Sequence, residues 1–120
     1  MITLHHTVEV PYSQQAMYEL VNDVSSYPDF IPFCTSGELA CTQADSAQGT
    51  LTFAGLGIVE SFVTHNVFHP PHTIHMTLKE GPFKHLEGVW KFKKLDFNRT
   101  QVELSLQFSF ELSNSWFDYM

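Results

Sequence analysis

The sequence predicts an α+β fold in a single domain over residues 1–120: a curved antiparallel sheet of six to seven strands with two short helices near the N-terminus. Three observations carry this. From residue 34 onward, apolar and polar side chains alternate with a period of two. Before that, residues 14–23 place their apolar side chains at helical spacing. The chain has 120 residues, 43% of them hydrophobic, which suits one core.

Residues 2–10 are extended in character and rich in β-branched side chains, and Pro11 closes them, which predicts a strand. Ser13 is placed to cap a helix over Gln14–Asp23. Met17, Leu20, Val21 and Val24 form its buried stripe, and Gln14, Gln15, Glu19 and Asn22 its wet face. A second helical turn is expected over Tyr27–Ile31, capped by Ser26. Pro28 lies near its first turn, Phe30 and Ile31 are its apolar side chains, and Pro32 ends it.

Strands are then expected near 34–43, 48–55, 58–68, 73–80, 85–96 and 101–112. Asp45-Ser46, Gly55-Leu56-Gly57, Pro70-Pro71, Gly81-Pro82 and Asn98-Arg99 separate them. In the last strand Val102, Leu104, Leu106, Phe108, Phe110 and Leu112 share one face, opposite Glu103, Ser105, Gln107, Ser109 and Glu111. Leu86, Gly88, Trp90 and Phe92 face inward on the strand before, as Ile74, Met76 and Leu78 do one strand earlier. Such a meander has one apolar face, too broad for two short helices to cover. Asn114–Met120 reads as the start of a third, aromatic helix of about two turns, too short to be stable alone. An uncovered sheet face of that kind predicts self-association.

Composition excludes several classes. Charged residues are only 16% while Phe alone numbers eleven, so the chain is not disordered. The N-terminus has no basic segment before an apolar core, and no apolar run reaches the length of a membrane span. Cys34 and Cys41, seven residues apart on one extended segment, read as reduced thiols of a cytoplasmic protein. Net charge is −7, against general nucleic-acid binding. Yet all six cations, Lys79, Lys84, Lys91, Lys93, Lys94 and Arg99, fall between 79 and 99, where they outnumber acids by three. That window is either a solvated outer face or a docking surface for an anionic partner.

No catalytic constellation emerges. His69, His72 and His75 recur every third residue, but Pro70-Pro71 breaks the helix that would align them. Cys34 has no basic neighbour to activate it and reads as a packed thiol. Gly55-Leu56-Gly57 lacks the lysine and helix of a phosphate loop. The aromatic surplus is more telling. Met76, Phe83, Leu86, Trp90, Phe92, Phe108 and Phe110 are expected on the concave face, in the manner of a pocket for an apolar ligand.

Two stretches carry a family resemblance: Val24-Ser-Ser-Tyr27-Pro28-Asp-Phe30-Ile31-Pro32-Phe-Cys34, and Glu80-Gly81-Pro82-Phe83-Lys84-His-Leu86-Glu-Gly88-Val-Trp90-Lys-Phe92. Together they resemble the coenzyme Q-binding, polyketide cyclase-like branch of the START superfamily, whose bacterial members include the ribosome association toxin RatA. The resemblance covers nearly the whole chain. It implies a helix-grip fold, in which a curved antiparallel sheet wraps a long C-terminal helix around an elongated apolar cavity. Only the first residues of that helix are present here.

The resemblance implies no catalytic cofactor, but a hydrophobic ligand, ubiquinone or a related isoprenoid quinone. Tyr27 is then a candidate to give its hydroxyl to a quinone carbonyl. Phe30 and Phe83 are candidate lips of the entrance, with Gly81 and Pro82 shaping the turn that holds Phe83. The same resemblance implies an alternative partner, the large ribosomal subunit, docked through Lys84, Lys91, Lys93, Lys94 and Arg99. A polyketide cyclase or aromatase needs an acid or base inside the cavity, and the inward face carries almost none. The expected location is cytoplasmic, with peripheral contact to the inner membrane.

Overall fold

Alternation and turn residues produce seven antiparallel strands in one sheet, ordered β1-β7-β6-β5-β4-β3-β2. The computed structural model describes residues 1–55 and 57–110, apart from the side chains of Ile58 and Phe110. The strands are β1 (Ile2–Val10), β2 (Cys34–Gln43), β3 (Ser46–Gly55), β4 (Ile58–His69), β5 (Thr73–Glu80), β6 (Phe83–Asp96) and β7 (Arg99–Phe110). Each strand from β2 to β6 pairs with the next, and β1 pairs with β7, from Ile2 opposite Phe108 to Val10 opposite Thr100. The expected α+β architecture is therefore the observed one. Leu112 and the aromatic segment Asn114–Met120 lie outside the described residues.

β1 and β2 occupy opposite edges of the sheet, so the chain between them must cross a whole face. The crossing consists of helix α1 (Gln14–Asn22) and a 3₁₀ turn, η1 (Val24–Asp29). Ser13 caps α1 as expected, its Oγ accepting from the Ala16 N–H at 3.1 Å. The second turn differs from expectation. It starts at Val24 rather than Tyr27, and Ser26 does not cap it. Asp23 precedes the turn instead, accepting from the hydroxyls of Ser25 and Ser26. Val24 is its buried side chain, whereas Phe30 is 55% exposed. Local pattern marked a turn here, but Asp23 fixes where it starts.

Two contacts seat this crossing. Under α1, Tyr18 packs with Ile74, Phe92 and Val102 in the small core, and the Tyr18 and Phe92 rings meet edge to face. Gln14 Nε2 donates to the Phe92 carbonyl at 2.7 Å, fixing the start of α1 over β6. Under η1, Gly37 of β2 allows direct backbone approach: a Cβ there would lie 2.1 Å from the Val24 carbonyl oxygen. At the β5–β6 turn, Gly81 has φ 151°, the positive value expected for it.

Candidate functional site

Because α1 and η1 cross above the sheet without filling the space beneath them, a cavity of about 400 Å³ remains. Val21, Asn22, Val24 and Tyr27 form its roof, and inward-facing residues of β3 to β7 form its floor. The two ends differ in chemistry. At one end Phe53 stacks on Phe62, Phe62 meets Phe83 edge to face, and Phe83 meets Phe108 likewise, with centroid distances of 6.0, 5.6 and 6.1 Å. Toward α1 the floor carries Thr64 and Asn66, joined by a hydrogen bond from Thr64 Oγ1 to Asn66 Oδ1 at 2.7 Å.

Of the candidate ligand-binding residues, Tyr27, Met76, Phe83, Leu86, Trp90 and Phe108 meet at this cavity. Phe92 does not. It shares the inward face of β6, but α1 covers that end, leaving it 2% exposed in the core beside Tyr18. Phe30 is not among the residues that line the cavity; it is exposed, its ring edge-on to the lining residue Tyr27 at 5.7 Å. Phe110 ends β7 opposite Phe83 in the register, and its side chain lies outside the described residues.

The Tyr27 hydroxyl donates to the Val21 carbonyl at the end of α1 rather than to the cavity. Burial, followed by the nearby Asp23 carboxylate and Cys34, pushes its pKa up to about 12. It is also the one ionisable side chain on the described cavity wall. Cys34 is buried and Cys41 exposed, and both are free thiols. Among the described residues no cluster of three or more His, Cys, Asp and Glu is arranged to hold a metal.

The basic window does not form one patch. Lys84 is the second residue of β6, whereas Lys91, Lys93 and Lys94 lie farther along it, roughly 23 to 33 Å away at strand rise. Lys91 and Lys93 face outward opposite Glu103 and Gln101, and both are exposed. Arg99 is engaged by Glu9 and Asp96, each at 2.8 Å.

Sequence reasoning missed Thr64, Asn66 and Asn22. The signal was present: Phe62, Thr64, Asn66 and Phe68 alternate along one face of β4, and two polar residues interrupt an otherwise apolar row. Asn22 was read as a wet residue of α1 but reaches the roof near the helix end.

The fold has known counterparts. Residues 10–116 match a family model described as polyketide cyclase/dehydrase and lipid transport. The chain is 38% identical over 110 residues to the ribosome association toxin RatA of Escherichia coli K12, covering 92% of this chain and 70% of that protein. It is 29% identical over 82 residues to the mitochondrial coenzyme Q-binding protein COQ10 homolog B of Xenopus laevis, covering 68% of this chain and 34% of that one. Among solved structures, an aromatase/cyclase from a Streptomyces species superposes with a TM-score of 0.83 at 23% identity, covering 95% of this chain and 71% of that one. A Mycobacterium smegmatis protein described as START superfamily superposes with a TM-score of 0.78 at 21% identity, covering 93% and 79%. With a curved seven-stranded sheet, an apolar cavity under its crossing helices and a family match over most of its length, the chain belongs to the polyketide cyclase/dehydrase and lipid transport family.

Proposed function

We propose that the chain binds a hydrophobic ligand without transforming it, and that the ligand is an isoprenoid quinone such as ubiquinone or a related polyprenyl lipid. The observation that carries this is the cavity of about 400 Å³ walled almost wholly by apolar side chains. Each methylene-sized unit of an isoprenoid tail moved from water into such a space contributes about 0.8 kcal/mol. A carrier is favoured over a cyclase because the one ionisable group on the described wall, Tyr27, is a neutral phenol whose O–H is already committed to a hydrogen bond with a backbone carbonyl. The coenzyme Q-binding relative supports the same ligand class. A cytoplasmic carrier touching the inner membrane transiently would meet such a lipid there.

The test is to purify the protein from cells without detergent, extract it with organic solvent and analyse the extract by mass spectrometry. A stoichiometric isoprenoid is expected, and Leu106→Trp, which fills the floor, should abolish it. A protein that carries no lipid and takes up none from quinone-loaded vesicles overturns the proposal.

A second reading, association with the large ribosomal subunit, is favoured by the relatives named as ribosome association toxins and by the exposed Lys91 and Lys93 on β6. Such binding should weaken steeply with salt and should be lost on Lys91→Glu with Lys93→Glu in a pelleting assay with isolated subunits. A protein that stays in the supernatant at low salt dismisses it. The two readings are compatible in one chain.

A further inference from the structure

The polar end of the cavity contains a donor without a use. Thr64 and Asn66 are 7% and 6% exposed, on a strand face otherwise filled by Phe62 and Phe68. Thr64 Oγ1 donates to Asn66 Oδ1, which occupies the amide oxygen and leaves Nδ2 turned elsewhere. Asn66 Nδ2 donates to none of the described residues. No fully enclosed side-chain nitrogen or oxygen lacks a partner among those residues, so this N–H₂ opens onto the cavity. Buried donors are satisfied in folded proteins, and an open one in an apolar chamber is a demand for an acceptor.

The surroundings narrow the acceptor's chemistry. Gly49 lies directly across the ladder from Thr64, and a methyl group there would stand 2.9 Å from Asn66 Nδ2 and 3.4 Å from Thr64 Oγ1. The space before the amide is therefore kept open by the lack of a side chain. Asn22 adds a second neutral polar group from the roof. No Lys or Arg lines the described wall, so nothing there compensates a carboxylate or phosphate. Phe62 is four residues away on the same strand, roughly 13 Å at strand rise, where the aromatic end begins.

We propose that Asn66 Nδ2, oriented by Thr64, reads a neutral carbonyl on the head of an amphiphilic ligand and sets its direction: head beneath Asn22, apolar chain toward Phe62 and Phe83. This rests on the apolar-ligand reading above and adds the head's chemistry and its orientation.

The experiment compares two probes with the same tail, decylubiquinone and decylbenzene, displacing neutral N-phenyl-1-naphthylamine from the full chain. Asn66→Asp keeps the acceptor for Thr64 and replaces the donor with an oxygen. Gly49→Ala keeps the amide and crowds the space before it. Wild type should prefer decylubiquinone, and each variant should weaken that probe by about tenfold or more while holding decylbenzene within about twofold. Circular dichroism melts identify a variant that fails to fold, and Asn66→Leu then takes its place. Variants that bind decylubiquinone as wild type does, or that lose both probes equally, overturn the assignment, as does a wild type that binds both probes alike. In that last case the apolar-ligand reading survives. If wild type binds neither probe, that reading fails and takes the assignment with it.

Discussion

Tyr27 illustrates how one side chain links local structure to stability. Its hydroxyl ties η1 back to the last turn of α1, so the proton has a structural use. The folded state raises its pKa from 10.0 to about 12, chiefly through burial. A raised pKa means that folding favours the neutral phenol, so its contribution is complete below pH 10 and disappears as pH rises toward 12. Tyr27→Phe should cost about 1 kcal/mol at pH 7 and flatten the fall of the urea midpoint across that window. The decline that remains would belong to Tyr18, whose pKa burial also raises. An alkaline limb identical in wild type and variant would contradict this. Phe92 and Phe30 form a second contrast. Phe92→Ala should cost about 3–5 kcal/mol because its ring is enclosed under α1. Phe30→Ala should cost under about 1 kcal/mol, since it loses only an exposed edge-on contact with Tyr27. Equal urea midpoints for the two variants would mean the core is misplaced.

The crossing segment depends on one glycine. η1 lies so close on β2 that Gly37→Ala brings a methyl group onto the Val24 carbonyl. We expect a loss of about 1–3 kcal/mol, with faster amide exchange over Val24–Asp29 than in α1. Uniform exchange across both would place the strain elsewhere. This element also marks the limit of what the sequence makes legible. Alternation reports which strand residues share a face: Ile74 and Met76 of β5, Leu86, Gly88 and Trp90 of β6, and Leu104, Leu106 and Phe108 of β7 meet on one cavity floor. It does not report where a crossing helix stops covering that face. Trp90 and Phe92 are neighbours on one row and their rings stack at 6.4 Å, yet Trp90 reaches the cavity and Phe92 is sealed beneath α1. Thr64 and Asn66 escaped notice for a related reason: a polar pair on a strand looks like solvent contact until the roof above it is known.

At the scale of the whole molecule, the cavity separates stability from occupancy. A void of about 400 Å³ forgoes packing that a ligand would restore. Quinone at about 100 times its dissociation constant should stabilise the fold by about 2.7 kcal/mol, raising the thermal midpoint by roughly 10 °C. A midpoint indifferent to ligand would argue against the cavity as the binding place. The overall architecture was legible because six consecutive strands announce themselves by period and punctuation. The partner of β1 was not, since nothing local links residues about a hundred positions apart such as His5 and Ser105. That pairing has a consequence for folding. β1 must wait for β7 before it finds its neighbour, and joining strands so distant in sequence carries an entropic cost of roughly 4 kcal/mol. We expect β2 to β7 to assemble as a spreading hairpin array while β1 stays unpaired, which pulse-labelled amide exchange during refolding would show as late protection of β1. Pairing of β1 with β7 is then expected to come last, in the slow millisecond-to-second regime of topologies dominated by remote pairings.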